Sequence, residues 1–213
     1  MIFLTEDLWF PDVAESDDEG LVAVGGDLSN ERLLLAYRSG IFPWFIEEKL
    51  VFWFSPPERF VLFPGEVHVS HSMKQIIRKG KFTVTENQNF KEVIEKCAAV
   101  NQSKAGSTWI SKEFIESYTQ LHHLGYAKSV EVWKGNNLIG GLYGVEVGNI
   151  FCGESMFSLQ PNASKLALIH LCKSDRYKLI DCQVYTAHLE SLGARMISRD
   201  TFLNGIIASQ KAV

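Results

Sequence analysis

The 213-residue sequence has no Cys-x-x-Cys pair, no apolar run long enough to span a bilayer, no phosphate-cradling glycine loop and no basic residue in its first 31 positions. Each absence excludes a class of protein. Cys97, Cys152, Cys172 and Cys182 are widely spaced among apolar residues, the usage of reduced thiols in a cytosolic protein rather than of a disulfide scaffold. No stretch approaches the roughly 18 to 20 apolar residues of a membrane span, and the N-terminus lacks the basic and continuous apolar regions of a signal peptide. A cytoplasmic protein with no membrane partner is expected. His68 with His71, and His122 with His123, have no second ligand pair at zinc spacing, so no metal is expected. A Gly-x-Ser-x-Gly elbow is missing too, as are repeats and low-complexity tracts.

A hydrophobic share of 46% supports a packed core in one or two small domains. The net charge of −4 argues at first against a nucleic-acid partner. Its distribution changes that. Residues 1 to 31 carry nine of the 25 acids, which leaves 16 acids against all 21 basic residues, or +5, for residues 32 to 213. An acidic head precedes a mildly basic body, in which Lys74, Arg78, Lys79, Lys81 and Lys173, Arg176, Lys178 form two groups.

Turn residues and periodicity divide the chain. Residues 1 to 28 read as a Pro- and Asp-rich loop region. Ser29 or Asn30 caps a helix with apolar Leu33, Leu34 and Tyr37, which Gly40 stops. The aromatic segment to Pro64, with Pro56 and Pro57 adjacent, must be strand and turn. Helices are expected over 70–79, 88–98 and from Ser111 to Gly125, with a strand FTVTE before the second. KSVEVWK, LIGGLYGVEV and IFCGESM, separated by glycine-asparagine turns, read as an antiparallel meander. A helix over 161–173, the strand KLIDCQV, a short helix near 186–192 and a last helix from about 200 follow, which implies a parallel crossover beside the meander. The expected fold is mixed α/β: a smaller N-terminal α+β domain over 1–100 and a second domain over 101–213.

Three groups of residues can carry chemistry. Asp181 and Gln183 share one face of an apolar strand, and both need hydrogen-bond partners if buried. They serve either as a satisfied polar pair or as a carboxylate that orients an amide toward a substrate. Gly153 permits a bulge or close approach beside Glu154, and Asn162, Ser164 and Lys165 open a helix whose N-terminus either binds an anion or is simply capped. Trp44, Trp53 and Phe54 in proline-rich loops, and Trp109 before a helix cap, either stack on bases or pack an interface.

Taken in order, GLVAVGGDLSNERLLLAYRSGIFPWF (20–45), FWFSPPER (52–59), STWI (107–110), SVEVW (129–133), GGLYGV (140–145), FCGESMFS (151–158), NASKLAL (162–168), LIDCQ (179–183) and HLESLGA (188–194) resemble the leucyl/phenylalanyl-tRNA–protein transferase family. The resemblance covers most of the chain. It implies a C-terminal domain similar to the acyl-CoA N-acyltransferase fold. It also implies transfer of Leu or Phe, and sometimes Met, from aminoacyl-tRNA to proteins with an N-terminal Arg or Lys, marking them for degradation, with no cofactor. By the same resemblance Asp181 and Gln183 are the catalytic pair and Glu154 faces the acceptor's basic residue. Trp44 and Trp109 lie by the terminal adenosine, and Leu142, Phe151 and Met156 line the aminoacyl pocket. Leu142 stands where Met is expected and Phe54 where Trp is usual.

An aminoacyl ester is already activated, so such an enzyme needs orientation and oxyanion stabilisation more than a strong base. An α-amine with an ordinary pKa near 7.7–8.0 is partly neutral at cellular pH. The chemistry then expected has Asp181 hydrogen-bonding Gln183 and holding its amide oxygen toward the attacking amine, while Glu154 helps hold the cationic N-terminal residue. A small-molecule acetyltransferase is the competing enzyme, although the stretch where its glycine-rich loop belongs, SLQPNASK, has no glycine. A non-catalytic tRNA- or peptide-binding module is the competing non-enzyme.

Overall fold

The computed structural model describes residues 1–105 and 108–211, so Ser107 of the STWI segment lies outside the described residues. Two sheets organise the chain. The first contains β1 (Phe3–Leu4), β2 (Leu21–Gly25), β3 (Phe42–Glu47) and β4 (Leu50–Phe54) in the order β1-β2-β4-β3. Residues 1–28 are therefore not all loop: the apolar LVAVG run pairs with β4 and buries Val22, Ala23 and Val24. Between β2 and β3 stands α1 (Asn30–Arg38), with Ser29 Oγ accepting the Arg32 N–H and Gly40 ending it at φ +73°. Arg32, itself buried, gathers the acidic head by donating to the main-chain oxygens of Thr5, Glu6, Asp7 and Trp9 and pairing with Asp27.

Pro56 and Pro57 then break the chain, and β5 (Glu58–Leu62) enters a second, seven-stranded sheet. The remaining elements are α2 (His71–Lys79), β6 (Thr83–Glu86), α3 (Phe90–Ala105), α4 (Lys112–His123), β7 (Ala127–Lys134), β8 (Asn137–Val147), β9 (Ile150–Ser158), α5 (Ala163–Cys172), β10 (Leu179–Gln183), α6 (Ala187–Glu190), β11 (Arg195–Ser198) and α7 (Arg199–Gln210). The sheet order is β11-β5-β10-β9-β8-β7-β6. Strands β7, β8 and β9 form the antiparallel meander, and α5 carries the chain over to β10, which runs parallel to β9. The mixed α/β class and the crossover are as the turn pattern predicts.

The two sheets part between Phe54 and Glu58, with β5 and β6 both in the large sheet. One continuous core joins Trp53 and Phe54 of the first sheet to Val61, Val145 and Phe157 of the second. Helix α3 runs to Ala105 instead of ending near 98, and β11 is a short edge strand with no alternation of burial to announce it. Trp44, Trp53 and Phe54 lie in strands, not loops, and Trp53 is core, its indole donating to Gly25 O.

Close approach fixes α5 on the sheet. A Cβ on Gly140 of β8 would sit 2.4 Å from the Ala163 Cβ, so only glycine lets the helix start lie directly on that strand. The start of α5 consequently borders the region where β9 and β10 separate.

Candidate active site

Strands β9 and β10 pair from Leu179↔Ile150 to Asp181↔Cys152 and then diverge. The opening is a cavity of about 610 Å³. Asp181, Gln183, Glu154, Trp44, Trp109, Leu142, Phe151 and Met156 all line it, although they come from β3, the start of α4, β8, β9 and β10. Asn162, Ser164 and Lys165 line it too. Asn162 stands at the start of α5 with φ +72° and makes no side-chain cap; Ser158 Oγ accepts the Ser164 N–H instead.

The regular strand expected through KLIDCQV is interrupted. Register against β5 shifts between Asp181 and Gln183, and Gln183 takes φ +64°, a left-handed conformation rare for a residue with a long side chain. A nearby acid holds it there. Gln183 N–H donates to Asp181 Oδ1 at 2.8 Å. Asp181 is fully buried, and Arg59 of β5 grips it through Nε–Oδ1 at 2.9 Å and Nη2–Oδ2 at 2.7 Å. The guanidinium is in turn stacked between Phe42 and Phe202, 4.5 and 4.6 Å from the ring centres, and donates to Gly40 O. Both sheets and α7 thus meet on one ion pair.

The Gln183 side chain is held separately. Its Nε2 donates to Glu154 Oε1 at 2.7 Å, and Tyr118 OH donates to Glu154 Oε2 at 3.2 Å. Tyr118 also bonds Tyr37 from α1. The expectation that Asp181 orients the amide is therefore corrected: Asp181 anchors the Gln183 main chain, and Glu154 orients the amide. The NH₂ faces Glu154, which leaves Gln183 Oε1 free to accept from an incoming N–H.

Burial pushes the Glu154 carboxyl up to about 7, with the Asp181 charge adding to the rise and hydrogen bonds from Tyr37, Gln183 and Tyr118 opposing it. The Tyr37, Tyr118 and Tyr143 phenols are driven well above their usual range by burial and then by the Glu154 charge. Tyr37 and Tyr118 act as neutral donors, not bases, while the Tyr143 hydroxyl is buried without a partner among the described residues. Burial also raises the Cys182 thiol, so this cavity-lining cysteine is no nucleophile.

Two tryptophans also line the cavity. Trp44 is partly exposed and packs edge-on against Phe54 at 4.8 Å, while Trp109 meets Phe114 edge-on at 5.5 Å. Leu142, Phe151 and Met156 belong to the apolar cluster under α5. Sequence reasoning missed Arg59, Tyr37 and Tyr118. Arg59 carried a readable signal, a cation inside the apolar strand RFVL, whereas Tyr37 and Tyr118 look like ordinary apolar helix positions.

The other candidates lie elsewhere. His122 stacks on Phe90 at 4.4 Å and bonds Ala127 O, His71 bonds Gln75, and among the described residues no three His, Cys, Asp or Glu side chains form a metal-binding group. Lys74, Arg78 and Lys79 are exposed on α2, whereas Arg176 pairs with Glu86. All four cysteines are free, and among the described residues no helix is long and apolar enough to cross a membrane.

Comparison with known proteins gives concordant matches. The family model described as leucyl/phenylalanyl-tRNA protein transferase matches residues 61–206, and the model of that family's N-terminal domain matches residues 26–57. The chain is 54% identical over 207 residues to the leucyl/phenylalanyl-tRNA–protein transferase of Flavobacterium johnsoniae, covering 96% of this chain and 98% of that one. It is 52% identical over 203 residues to the protein of that name from Syntrophobacter fumaroxidans, covering 94% and 87%. Similar solved structures include a GCN5-related N-acetyltransferase from Kribbella flavida, with 12% identity, a TM-score of 0.38 and coverage of 76% of this chain and 58% of that one.

Proposed function

The chain belongs to the leucyl/phenylalanyl-tRNA–protein transferase family and is a transferase, and on that premise we propose that it moves leucine or phenylalanine, and sometimes methionine, from aminoacyl-tRNA to the N-terminal Arg or Lys of cytoplasmic proteins, marking them for degradation. The observation that carries this reading is the Gln183 amide, fixed at its NH₂ by Glu154 and at its main chain by the Asp181–Arg59 pair, in a cavity that also holds an apolar pocket and two tryptophans.

The terminal adenosine stacks on Trp44 and Trp109, and the transferred side chain enters the pocket of Leu142, Phe151 and Met156. Glu154 attracts the acceptor's cationic N-terminal residue. The neutral α-amine donates an N–H to Gln183 Oε1, which aims its lone pair at the ester carbonyl carbon. A C–N bond forms as the carbonyl becomes an oxyanion; the C–O bond to the ribose then breaks, and the amine proton ends on the ribose hydroxyl. Gln183 orients without changing its own protonation. Asp181 is a positioning residue, because both its oxygens are occupied by Arg59 and the Gln183 main chain.

Labelled leucyl-tRNA, phenylalanyl-tRNA or acetyl-CoA, each mixed with the protein and a peptide beginning with Arg, tests this. Label should enter the peptide from the two tRNAs alone, and Gln183→Ala and Asp181→Ala should abolish most single-turnover transfer while folded. Near-normal rates in both variants would refute the residue roles, and label from acetyl-CoA would refute the reaction.

A further inference from the structure

The divergence of β9 and β10 leaves more than a cavity. Beyond Cys152 the β9 strand continues for six residues, Gly153 to Ser158, while β10 bulges at Cys182 and turns away through a Val184 N–H to Cys182 O bond at 2.8 Å. On its other side this stretch pairs with β8, from Gly144↔Gly153 to Gly140↔Ser158. Among the described residues no strand covers the β10 side. Alternate residues of a strand direct their N–H and C=O groups to the same side, so about three of these six residues present unpaired main-chain groups to the cavity. Such a row normally binds another strand or is blocked.

Nothing in the side chains blocks it. Gly153, Ser155 and Ser158 are small, no Lys or Pro stands between Gly153 and Ser158, and the stretch lines the cavity throughout. Its charged end is Glu154, beside the Gln183 amide. We propose that the N-terminal segment of the acceptor polypeptide binds as an added strand on this free edge of β9. The inference rests on the transfer reaction proposed above. With the α-amine at Gln183 and the first side chain near Glu154, the following residues run toward Ser158, parallel to β9. Main-chain pairing explains how one site takes many proteins: the first residue is selected by charge, and the next few are held by groups that every residue possesses.

The test uses acceptor peptides Arg-Ala-Ala-Ala-Ala-Ala, each N-methylated at one of residues 2 to 5, with leucyl-tRNA as donor. An added strand predicts alternation: methylation at every second position lowers kcat/KM about tenfold, the weight of one ordinary hydrogen bond. Methylation at the intervening positions and Ala→Ser exchange at any of them leave it within about threefold. Equal tolerance of all four methylated peptides, or an equal loss at all four, would overturn the added strand while leaving the transfer reaction intact. If the unmodified peptide accepts no label, the reaction itself is refuted and this inference falls with it.

Discussion

Replacing Arg59 by methionine isolates the clamp beneath Gln183. Arg59 and Asp181 are 2% and 0% exposed, and the pair makes two charge-assisted bonds of 2.9 and 2.7 Å. Removing one partner strands a buried carboxylate, which costs about 3–5 kcal/mol. That is a large part of the roughly 5–15 kcal/mol by which a domain of this kind is stable. Asp181→Leu strands the guanidinium between Phe42 and Phe202 and should cost a similar amount. The double variant removes both charges and refills the space with apolar atoms, leaving mainly the Gln183 N–H without a partner, a loss of about 1–3 kcal/mol. Urea unfolding followed by tryptophan fluorescence should therefore find the double variant at least as stable as either single one, with a strong favourable coupling. Single-turnover transfer should be absent from Asp181→Leu and from the double variant, because the acceptor that anchors the Gln183 main chain is gone in both. A cost below about 1 kcal/mol for Arg59→Met would refute the buried-pair argument, and near-normal transfer by the double variant would refute the link from Asp181 to Gln183.

Three further outcomes follow from the same geometry. Glu154 holds its proton more tightly in the folded chain, about 7 against an ordinary 4.5, so it stabilises the fold below pH 4.5 and that contribution is lost as pH rises through 7. The loss is about 3 kcal/mol between pH 4.5 and 8, and urea midpoints should fall with pH in the native protein but not in Glu154→Gln; parallel curves would remove the buried-carboxyl assignment. Gln183→Gly relieves the positive φ but leaves Glu154 Oε1 without its donor, so the two effects oppose and thermal stability should change little while kcat/KM falls about a hundredfold, the usual weight of a lost orienting group; retained activity would exclude the amide. Trp44→Ala should weaken binding of an aminoacyl-adenosine analogue by about 1–3 kcal/mol in calorimetric titration, and unchanged affinity would take Trp44 out of the nucleoside site.

What could be read from sequence was what local chemistry determines. Ser29, Ser70 and Ser111 each accept a main-chain N–H at the start of the helix they announce, and Gly80 closes α2 in the left-handed conformation. The turns at Gly135 and Gly148 set the meander. Long-range pairing escaped. LVAVG is five residues in an acidic, glycine-containing stretch and becomes β2 only because β4 lies beside it, and β5 reaches β10 and β11 across more than a hundred positions. The site divides the same way. Asp181 and Gln183 stood out as polar residues in an apolar strand, Glu154 and the tryptophans stood out by their settings, and the resemblance supplied their roles and the pocket of Leu142, Phe151 and Met156. The bulge that separates the roles of Asp181 and Gln183 could not be seen, because it depends on Arg59, 122 positions away.

That separation has a kinetic meaning. The contacts that shape Gln183 join residues 122 apart for Arg59–Asp181, 81 apart for Tyr37–Tyr118 and 29 apart for Gln183–Glu154. Contacts of such span form only after long loops have closed. During refolding, helices and the local meander can appear while the amide is still unplaced, so transfer activity should return in the final phase of folding, together with burial of Trp53. A chain caught halfway has no organised place to present an activated ester to an amine.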